Sequence, residues 1–269
     1  MRTASALTAT IVAALAVSLA PAWPVAGATA ADLASRADAA APTPHPADRA
    51  RPAVVERKVI GHSRRGRKII AWRVGDPDAK RTVVVLSTMH GNEPHTRKIL
   101  YALRDGRPIR GVDMWLIPVL NPDGLHRRTR KNARGVDLNR NYPYDWKRLG
   151  GSYYSGPKPA SEPETRALMK FLRQVRPSRL VSFHQPLHGV DTDTKNPRFA
   201  RRLARELRLP RKRFVCGGVC HGTMTGWYNH YFAGAAVTVE YSAKPSTAML
   251  RGPAARGLLR VFGARRSAR

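Results

Sequence analysis

Three side chains of a kind that binds divalent metal ions follow two apolar segments of this sequence. His90 and Glu93 come shortly after residues 82–88, and His184 follows residues 180–183. Both segments have the composition of buried strands, and parallel strands bring their carboxyl ends to one edge of a sheet, where α/β proteins bind ligands. Two imidazoles and one carboxylate are a ligand set for catalytic zinc that leaves one coordination position open for water. Taken singly, each of the three is also explained as a polar group at a strand end or a helix start.

A fourth candidate, Glu240, ends the apolar stretch 236–239. A carboxylate at the end of a buried strand is costly to bury unless it has a partner or a chemical task. Next to a metal-bound water it would act as a general base, which takes a proton from the water and later gives it to the leaving group. The sequence therefore predicts a hydrolytic site with a metal ion and a carboxylate base.

These residues need a scaffold whose strands end at a common edge, and the apolar pattern predicts one. We expect Ser161 to be the N-cap of a helix, with Glu164 at the capping-box position, and residues 121–124 to form a turn that stops a strand. Strands that alternate with helices and are uniformly apolar imply a sheet covered on both faces, so the predicted fold class is α/β, a single three-layer α/β/α domain. The predicted strands lie at residues 68–74, 82–88, 112–120, 180–183 and 235–241, and the predicted helices at 94–103, 161–175, 196–209 and 248–262.

The amino-acid composition limits the class of protein and the kind of binding partner. The 269 residues carry 48 Lys and Arg against 18 Asp and Glu, a formal net charge of +30 at pH 7, with 42% hydrophobic residues and two cysteines. This hydrophobic fraction excludes a wholly disordered basic chain, and two cysteines are too few for a disulfide scaffold. The charge is typical of proteins that bind polyanions such as nucleic acid, anionic lipid or an acidic cell wall.

The first fifty residues narrow the choice among these polyanion partners. An apolar stretch follows Arg2, and Ala28-Thr29-Ala30 has the small-x-small form of a signal-peptidase site. We predict a signal peptide at residues 1–30, a flexible Ala/Pro linker at 31–52 and a catalytic domain at 53–269, with a membrane anchor as the competing interpretation of the apolar stretch. A cleaved signal peptide predicts a secreted, extracellular or cell-wall-associated protein without a membrane anchor. Anionic cell-wall polymers are then the expected partners, and nucleic acid is not.

Seven stretches, in order along the chain, resemble the carboxypeptidase A family of zinc exopeptidases. They are His90-Gly91-Asn92-Glu93, Asn121-Pro122-Asp123-Gly124, Thr129-Arg130, Gly135-Val136-Asp137-Leu138-Asn139-Arg140-Asn141, Ser161-Glu162-Pro163-Glu164-Thr165, Ser182-Phe183-His184 and Thr238-Val239-Glu240. The resemblance implies a zinc carboxypeptidase-like fold with a mixed, mostly parallel central sheet, and one Zn²⁺ per chain. It implies that His90, Glu93 and His184 bind the zinc and that Glu240 promotes the attack of water.

Three further residues gain roles from the same resemblance. Arg130 stands where the family places an arginine that stabilises the tetrahedral oxyanion. Asn139 and Arg140 match the pair that grips the free C-terminal carboxylate of a peptide, a task that suits a guanidinium fork. Basic residues crowd this part of the chain, so a solvated basic loop is the alternative for both arginines. The implied activity is that of a secreted zinc metallocarboxypeptidase that hydrolyses a C-terminal amide bond.

The residues after His184 resemble most the bacterial murein-peptide amidase branch of this family. The likeness rests on Gln185-Pro186-Leu187 and Gly189-Val190-Asp191. This branch cleaves the bond between γ-D-glutamate and diaminopimelate in peptidoglycan peptides, so the implied substrate is a peptide or muropeptide. Diaminopimelate carries an amine and two carboxylates after release, which makes Asp191 or Asp193 a candidate for binding the amine. Two surface carboxylates without a role are the alternative.

The sequence also departs from the digestive members of the family. Those members have a tyrosine that closes over the substrate, and residues 216–223 contain none. The position that sets side-chain specificity falls on Met224 or Thr225, which supports neither a basic nor a large apolar preference. Cys216 and Cys220 are compatible with a disulfide, with free thiols or, together with the adjacent histidine, with a second metal site.

Other functions compete with this interpretation. A general protein or peptide carboxypeptidase and a non-catalytic basic domain that only binds the cell wall are the two alternatives. A related zinc amidohydrolase, such as an acyl-amino-acid deacylase, is a third. A serine hydrolase is not supported, because the sequence contains no Gly-x-Ser-x-Gly motif.

Overall fold

The computed structural model describes residues 52–268. The predicted signal peptide, residues 1–30, and all of the predicted linker except its last residue lie outside the described residues. Within them, β4 and β10 pair with each other, and the other eight strands form one sheet. The strands in chain order are β1 (Val54–His62), β2 (Lys68–Gly75), β3 (Thr82–Ser87), β4 (Ile109–Arg110), β5 (Asp113–Ile117), β6 (Arg179–His184), β7 (Gly189–Asp191), β8 (Arg211–Lys212), β9 (Ala235–Glu240) and β10 (Arg265–Arg266).

The eight-stranded sheet is mixed, with its parallel strands in the middle. Its order is β1-β2-β5-β3-β6-β9-β7-β8. The pairs β5/β3, β3/β6, β6/β9 and β7/β8 are parallel, and the pairs β1/β2, β2/β5 and β9/β7 are antiparallel. Because β3, β6 and β9 run the same way side by side, their carboxyl ends lie at one edge of the sheet. The predicted mixed, mostly parallel sheet is confirmed.

Helices cover both faces of this sheet. A π-helical turn at Leu250–Ala254 joins α6 to α7, and 3₁₀ turns lie at Leu138–Arg140 and Gly151–Tyr153. No helix among residues 52–268 combines the length and the apolar character that crossing a membrane requires. The α-helices are α1 (Arg97–Arg104), α2 (Pro122–Arg127), α3 (Pro163–Val175), α4 (Pro197–Leu207), α5 (Met224–Tyr231), α6 (Thr247–Met249) and α7 (Ala255–Phe262).

Strand β3 shows how the core divides into two layers. Val83 and Val85 pack in one apolar cluster with side chains of α1, α4 and α7, whereas Val84 and Leu86 pack in a second cluster with side chains of α3 and α5. All four side chains are fully buried. Successive side chains of a strand point to opposite faces, so a strand covered on both faces is apolar at every position. The predicted three-layer α/β/α architecture is confirmed.

The predicted turn at residues 121–124 is wrong, because this segment begins a helix. Asn121 is the N-cap of α2, and its Oδ1 accepts a hydrogen bond from Gly124 N at 2.8 Å. Pro122 occupies the first turn of the helix, where an N–H group has no partner within the helix. Asn-Pro-Asp-Gly is a turn signature in isolation, and the side-chain cap turns it into a helix start.

The predicted N-cap at Ser161 is also wrong, since the cap of α3 is Glu162 and it makes no side-chain cap bond. Ser161 Oγ donates to Glu162 Oε1 at 2.8 Å, and Asn141 Nδ2 donates to Ser161 Oγ at 2.9 Å. Glu164 forms no capping box either. Its carboxylate is buried and accepts from Arg64 N at 2.9 Å. Ser161 and Glu164 therefore form hydrogen bonds with residues distant in the sequence, and these bonds compete with capping of the helix.

Candidate active site

The predicted metal ligands and the predicted base lie together at the carboxyl edge of the parallel strands. β3 ends at Ser87, shortly before His90 and Glu93, while β6 ends at His184 and β9 ends at Glu240. His184 and Glu240 are register partners in the β6/β9 pair. All four predicted residues line one pocket of about 600 Å³.

The side chains of His90, Glu93 and His184 converge on one point. His90 Nδ1 lies 2.7 Å from Glu93 Oε1, and His184 Nδ1 lies 2.9 Å from Glu93 Oε2. The two Nδ1 atoms are 3.3 Å apart. All three side chains are buried, and one ligand atom from each lies within 4.8 Å of the others. Electron-pair donors that converge in this way can hold a divalent cation, and no second such group occurs within the described part of the chain.

Two further contacts fix the orientation of the imidazoles. His90 Nε2 lies 3.0 Å from Asp137 Oδ1, and His184 Nε2 lies 2.9 Å from Ser182 Oγ. A partner on Nε2 leaves the Nδ1 lone pair for a metal ion and selects the tautomer. The sequence-based site prediction missed both Asp137 and Ser182. Both stand inside motifs that carry the family resemblance, which is the signal that could have found them.

The electrostatics of the triad favour a cation. Burial lowers the pKa of His90, but the carboxylates of Glu93 and Asp137 raise it by more, to about 9. Burial raises the pKa of Glu93, but the two imidazoles lower it by more, well below its usual range. Buried carboxylates stay ionised only with positive charge beside them. The residues present therefore fit the zinc ion that the resemblance implies.

Glu240 has one carboxylate oxygen held by the backbone. Its Oε2 accepts a hydrogen bond from Leu187 N at 2.9 Å, and no hydrogen bond to Oε1 occurs within residues 52–268. Burial raises the pKa of Glu240, and the imidazole of His184 lowers it in part. A carboxylate of raised pKa on the wall of a pocket is suited to accept a proton and then to release it.

Arg130 lies beside the triad in an ion pair. Its Nη2 lies 2.8 Å from Asp137 Oδ2, and its Nη1 lies 3.5 Å from Glu93 Oε1. Asp137 therefore contacts His90 with one oxygen and Arg130 with the other. Arg130 also lines the pocket. The structure thus places this arginine next to the candidate metal ligands, and its oxyanion role stays a prediction.

Arg140 is 5% exposed, yet its guanidinium has few partners. Its Nη1 donates to Asn139 O at 2.8 Å, while its Nε has no hydrogen-bond partner among the described residues. Burial lowers the pKa of Arg140, and the carboxylate of Asp137 raises it in part. Asn139 Oδ1 accepts from Met224 N at 3.0 Å, and both Asn139 and Arg140 line the pocket. A buried guanidinium on a pocket wall is suited to bind an anionic group of a ligand.

Tyr153 lies near both arginines. Its ring centre is 5.4 Å from Cζ of Arg130 and 5.1 Å from Cζ of Arg140, distances at which a cation is attracted to an aromatic face. Tyr153 and Tyr144 both line the pocket. The segment that precedes α3 thus supplies aromatic rings to a pocket whose 216–223 segment has no tyrosine.

Cys216 and Cys220 lie on the rim of the pocket and form a disulfide. Nδ1 of the adjacent His221 lies 2.7 Å from Asp145 Oδ2, so this histidine has a carboxylate partner of its own. Of the three alternatives that the sequence left open for the cysteines, the structure has the disulfide. The disulfide closes a short loop in the segment that lines the pocket.

Two acidic residues also line the pocket. Asp191, Asp193 and Thr225 line the pocket, whereas Met224 is fully buried. Asp191 Oδ1 accepts from Asp193 N at 3.0 Å and from Phe214 N at 3.4 Å. Burial raises the pKa of Asp191 to about 6. Within the described part of the chain no Lys or Arg forms an ion pair with Asp191, although the protein carries a formal charge of +30.

Comparisons with known proteins identify the family and the fold of this chain. A protein-family model described as zinc carboxypeptidase matches residues 47–191. Murein peptide amidase A of Escherichia coli (strain K12) is 34% identical over 167 residues, which are 56% of this chain and 67% of that protein. The crystal structure of the murein-tripeptide amidase of Escherichia coli O157 matches with a TM-score of 0.63 and 27% identity, over 77% of this chain and 92% of that chain. Carboxypeptidase A of Helicoverpa armigera has the same fold, with a TM-score of 0.64 and 20% identity over 79% of this chain and 68% of that one.

The matched residues 47–191 include the three converging metal-ligand candidates and both arginines of the pocket. Glu240 lies beyond the matched range and reaches the site as the register partner of His184. The expected resemblance is confirmed by the family match and by the relatives, in sequence and in fold. This chain belongs to the zinc carboxypeptidase family and is a zinc metallopeptidase.

Proposed function

We propose that this protein is an exported metallocarboxypeptidase that hydrolyses the amide bond between γ-D-glutamate and diaminopimelate in peptidoglycan peptides. One feature carries the proposal: the pocket contains a buried guanidinium, Arg140, and a half-buried carboxylate, Asp191, neither of which has an ion-pair partner within residues 52–268. Diaminopimelate presents two carboxylates and a second amine and so complements both. The similarity to two murein amidases supports the same substrate class.

The location of the protein belongs to the same proposal. Peptidoglycan lies outside the cytoplasm, and the predicted signal peptide at residues 1–30 is the sequence feature that supports export. Residues 53–269 are the proposed catalytic domain, and the first strand of the sheet begins at Val54.

Substrate binding rests on groups at two walls of the pocket. Arg140 offers N–H donors to a carboxylate of the C-terminal residue, and Asn139 lies beside it. Asp191 receives the side-chain amine of the same residue. Opposite charges at two points fix the orientation of a substrate more strictly than one contact does, so the scissile amide lies toward His90, Glu93 and His184.

The chemistry requires a proton to move from water to the leaving nitrogen. Bound zinc supplies Lewis-acid polarisation of the water and of the scissile carbonyl. Glu240 Oε1 accepts a proton as the water oxygen bonds to the carbonyl carbon, while Leu187 N–H holds Oε2 in place. Arg130 Nη1 faces the negative charge that develops on the carbonyl oxygen. Glu240 then donates the proton to the nitrogen as the carbon–nitrogen bond breaks.

Mass spectrometry of reaction products tests the function. The purified protein is incubated with L-Ala-γ-D-Glu-diaminopimelate and with a panel of ordinary peptides, each with and without a chelator. We expect diaminopimelate to be released only without chelator. In the Glu240→Gln control the rate falls about 10²–10⁴-fold while one zinc per chain is retained. Release of Leu, Phe, Lys or Arg with no muropeptide cleavage would establish a general carboxypeptidase, and cleavage that resists the chelator would contradict the metal site.

A second experiment tests the contact with the amine. Asp191→Asn should lower kcat/KM for the diaminopimelate peptide about 10–100-fold, the value of one hydrogen bond between charged groups. The same peptide with 2-aminopimelate, which lacks the second amine, is the matched control and should lose less than threefold. Equal losses on both peptides would show that Asp191 has only a structural role.

The pH dependence of this contact has a definite sign. Burial, with smaller contributions from Asp193 and Glu240, raises the pKa of Asp191 to about 6. The carboxylate is therefore neutral below that pH and ionised above it. The preference of the wild-type protein for the diaminopimelate peptide over the 2-aminopimelate peptide should rise between pH 5 and pH 7.5. The ratio should stay flat in Asp191→Asn, and a flat ratio in the wild type would contradict the assignment.

A further inference from the structure

An open groove of about 780 Å³ lies along α4 and shares no lining residue with the catalytic pocket. Ala204 and Leu209 form its apolar floor, and its other lining residues are all arginines. Four of them lie in α4, and the fifth lies in β8. The arginines are Arg198, Arg201, Arg202, Arg205 and Arg211.

The arginines of the groove have little negative charge to balance them. Glu206 is the acidic residue of α4, and it lies 3.0 Å from Nη2 of Arg205 and 2.8 Å from Nε of Arg260. The other four arginines of the groove form no ion pair within the described part of the chain. Arg202 Nη2 donates to the carbonyl of Arg260 at 2.6 Å, which brings this side chain toward α7. Like charges held together in this way repel one another, and a bound polyanion would relieve the repulsion.

The composition of the groove restricts its partner. Its charged side chains are all arginines, whose planar guanidinium binds two phosphate oxygens at once. It has no aromatic ring on which a nucleic-acid base could stack. The apolar side of α4, with Phe199, Leu203 and Leu207, is buried in the core, so it cannot insert into a lipid surface. These features favour a linear phosphodiester chain that is contacted through its phosphates.

A two-residue strand, β8, connects the groove with residues of the catalytic pocket. Arg211 pairs with Val190, and the next residue, Lys212, pairs with Asp191 in the parallel β7/β8 ladder. Lys212 Nζ donates to Leu187 O at 3.0 Å, and Leu187 and Asp191 both line the catalytic pocket. A chain held in the groove would therefore lie beside the mouth of the pocket.

We propose that the α4 groove binds a polyol-phosphate polymer of the cell wall, with poly(glycerol phosphate) as its simplest form, and that it thereby holds the enzyme on its insoluble substrate. The choice of a wall polymer over other phosphodiesters rests on the proposed function. The binding itself does not depend on catalysis, so it can be tested separately from the reaction.

Binding of poly(glycerol phosphate) to the purified protein at 50–200 mM NaCl tests the proposal. The groove variant is Arg198→Gln/Arg201→Gln/Arg211→Gln. The matched control is Lys58→Gln/Lys68→Gln/Lys170→Gln, which removes the same charge from exposed positions that line neither the groove nor the pocket. We expect affinity to fall at least tenfold in the groove variant and less than threefold in the control. The slope of log K against log salt should decrease in magnitude by about 2, as expected for three lost phosphate contacts.

A variant that replaces the arginines by lysines controls for misfolding. It also distinguishes the effect of the positive charge from that of the planar guanidinium group. Arg198→Lys/Arg201→Lys/Arg211→Lys keeps the charge and should keep most of the salt slope, yet bind more weakly than the wild type, because lysine cannot bind two phosphate oxygens at once. Equal losses in the groove variant and the control would overturn the proposal. So would tighter groove-dependent binding to single-stranded DNA or to anionic phospholipid vesicles of equal charge than to poly(glycerol phosphate).

An activity measurement keeps this proposal distinct from the proposed function. The groove variant should hydrolyse the soluble tripeptide at the wild-type rate and lose at least fivefold on polymer-bearing cell walls. Unchanged hydrolysis of these walls would contradict the role of the groove as an anchor. If the protein cleaves no muropeptide but still binds the polymer through the groove, the proposed function fails and the binding site stands.

Discussion

Asp137 connects two parts of the active site that the sequence presents separately. It is fully buried, and its two oxygens contact a ligand histidine, His90, and the oxyanion candidate, Arg130. We expect Asp137→Asn to weaken zinc binding about 10–100-fold, because the amide pairs less strongly with His90. The variant should also stay slow when saturated with zinc, because Arg130 loses its ion pair. Zinc affinity from competition with a chelator and kcat at saturating zinc measure the two effects.

Ser182→Ala is the matched control for this prediction. Ser182 contacts the other histidine, His184, and not Arg130. Its loss should weaken zinc binding, while excess zinc restores kcat to near the wild-type value. Wild-type zinc affinity in Asp137→Asn, or full rescue of its kcat by zinc, would contradict the connecting role of Asp137.

Tyr153 is expected to position the arginines through its ring and not through its hydroxyl group. The ring lies within 5.4 Å of both guanidinium carbons. Tyr153→Phe should therefore retain activity, whereas Tyr153→Leu should raise KM about two- to fivefold, the effect expected from losing about 0.5–1 kcal/mol of cation–π attraction. Kinetics of both variants on one peptide measure this. A similar loss in Tyr153→Phe would instead assign the role to the hydroxyl group.

The residue types of the metal site could be predicted from sequence, whereas the contacts that support them could not. His90, Glu93 and His184, which the structure brings together, could be proposed as metal ligands because they follow apolar strands and have the residue types of a zinc ligand set. Asp137 contacts His90 across 47 residues of sequence, and the motif around Asp137 marks it as a candidate without showing which side chain it contacts. Whether Arg140 has an ion-pair partner likewise depends on which acidic side chains the fold places near it.

At the scale of the elements, Gly91 lets the metal-binding loop pass close to α2. A Cβ atom at Gly91 would lie 1.9 Å from the backbone carbon of Gly124. Gly91→Ala must displace α2 or the loop, so we expect it to destabilise the fold by about 1–3 kcal/mol and to lower zinc content. Gly150→Ala is the control, since no atom lies within 4 Å of a Cβ there and its φ is −114°. Urea unfolding and metal analysis test the pair, and wild-type values for Gly91→Ala would contradict the close approach.

The elements that carry the site could be predicted because they are buried on both faces. β3, β6 and β9 appear in the sequence as mostly apolar runs, and each delivers a site residue near its carboxyl end. β7 and β8 were missed because they span only three and two residues, and both residues of β8 are exposed and basic. They nevertheless place Asp191 on the pocket wall and Arg211 in the groove. Strands this short are formed by pairing with their neighbours and have no apolar pattern of their own.

At the scale of the whole molecule, acidic and basic side chains differ in burial. Among the acidic side chains of residues 52–268, seven are buried: Glu93, Asp113, Asp123, Asp137, Glu162, Glu164 and Glu240. Several of these bind internal partners, as Asp123 does with Arg67 and Glu162 with Asn132. Few acidic groups are then left to balance the 48 Lys and Arg side chains. Within residues 52–268 the exposed charged side chains are therefore mostly cationic.

This excess of exposed positive charge predicts that added salt stabilises the folded protein. Repulsion among surface cations destabilises the folded state, and salt screens it, since the Debye length falls from about 30 Å at 0.01 M to about 10 Å at 0.1 M. The midpoint of thermal unfolding should therefore rise when NaCl increases from 10 to 300 mM. The rise should be smaller in Arg198→Gln/Arg201→Gln/Arg211→Gln than in Lys58→Gln/Lys68→Gln/Lys170→Gln, because the groove concentrates the repulsion that the salt relieves. A midpoint that falls with NaCl, or an equal rise in the two variants, would show that the arginines of the groove do not repel one another in the folded protein.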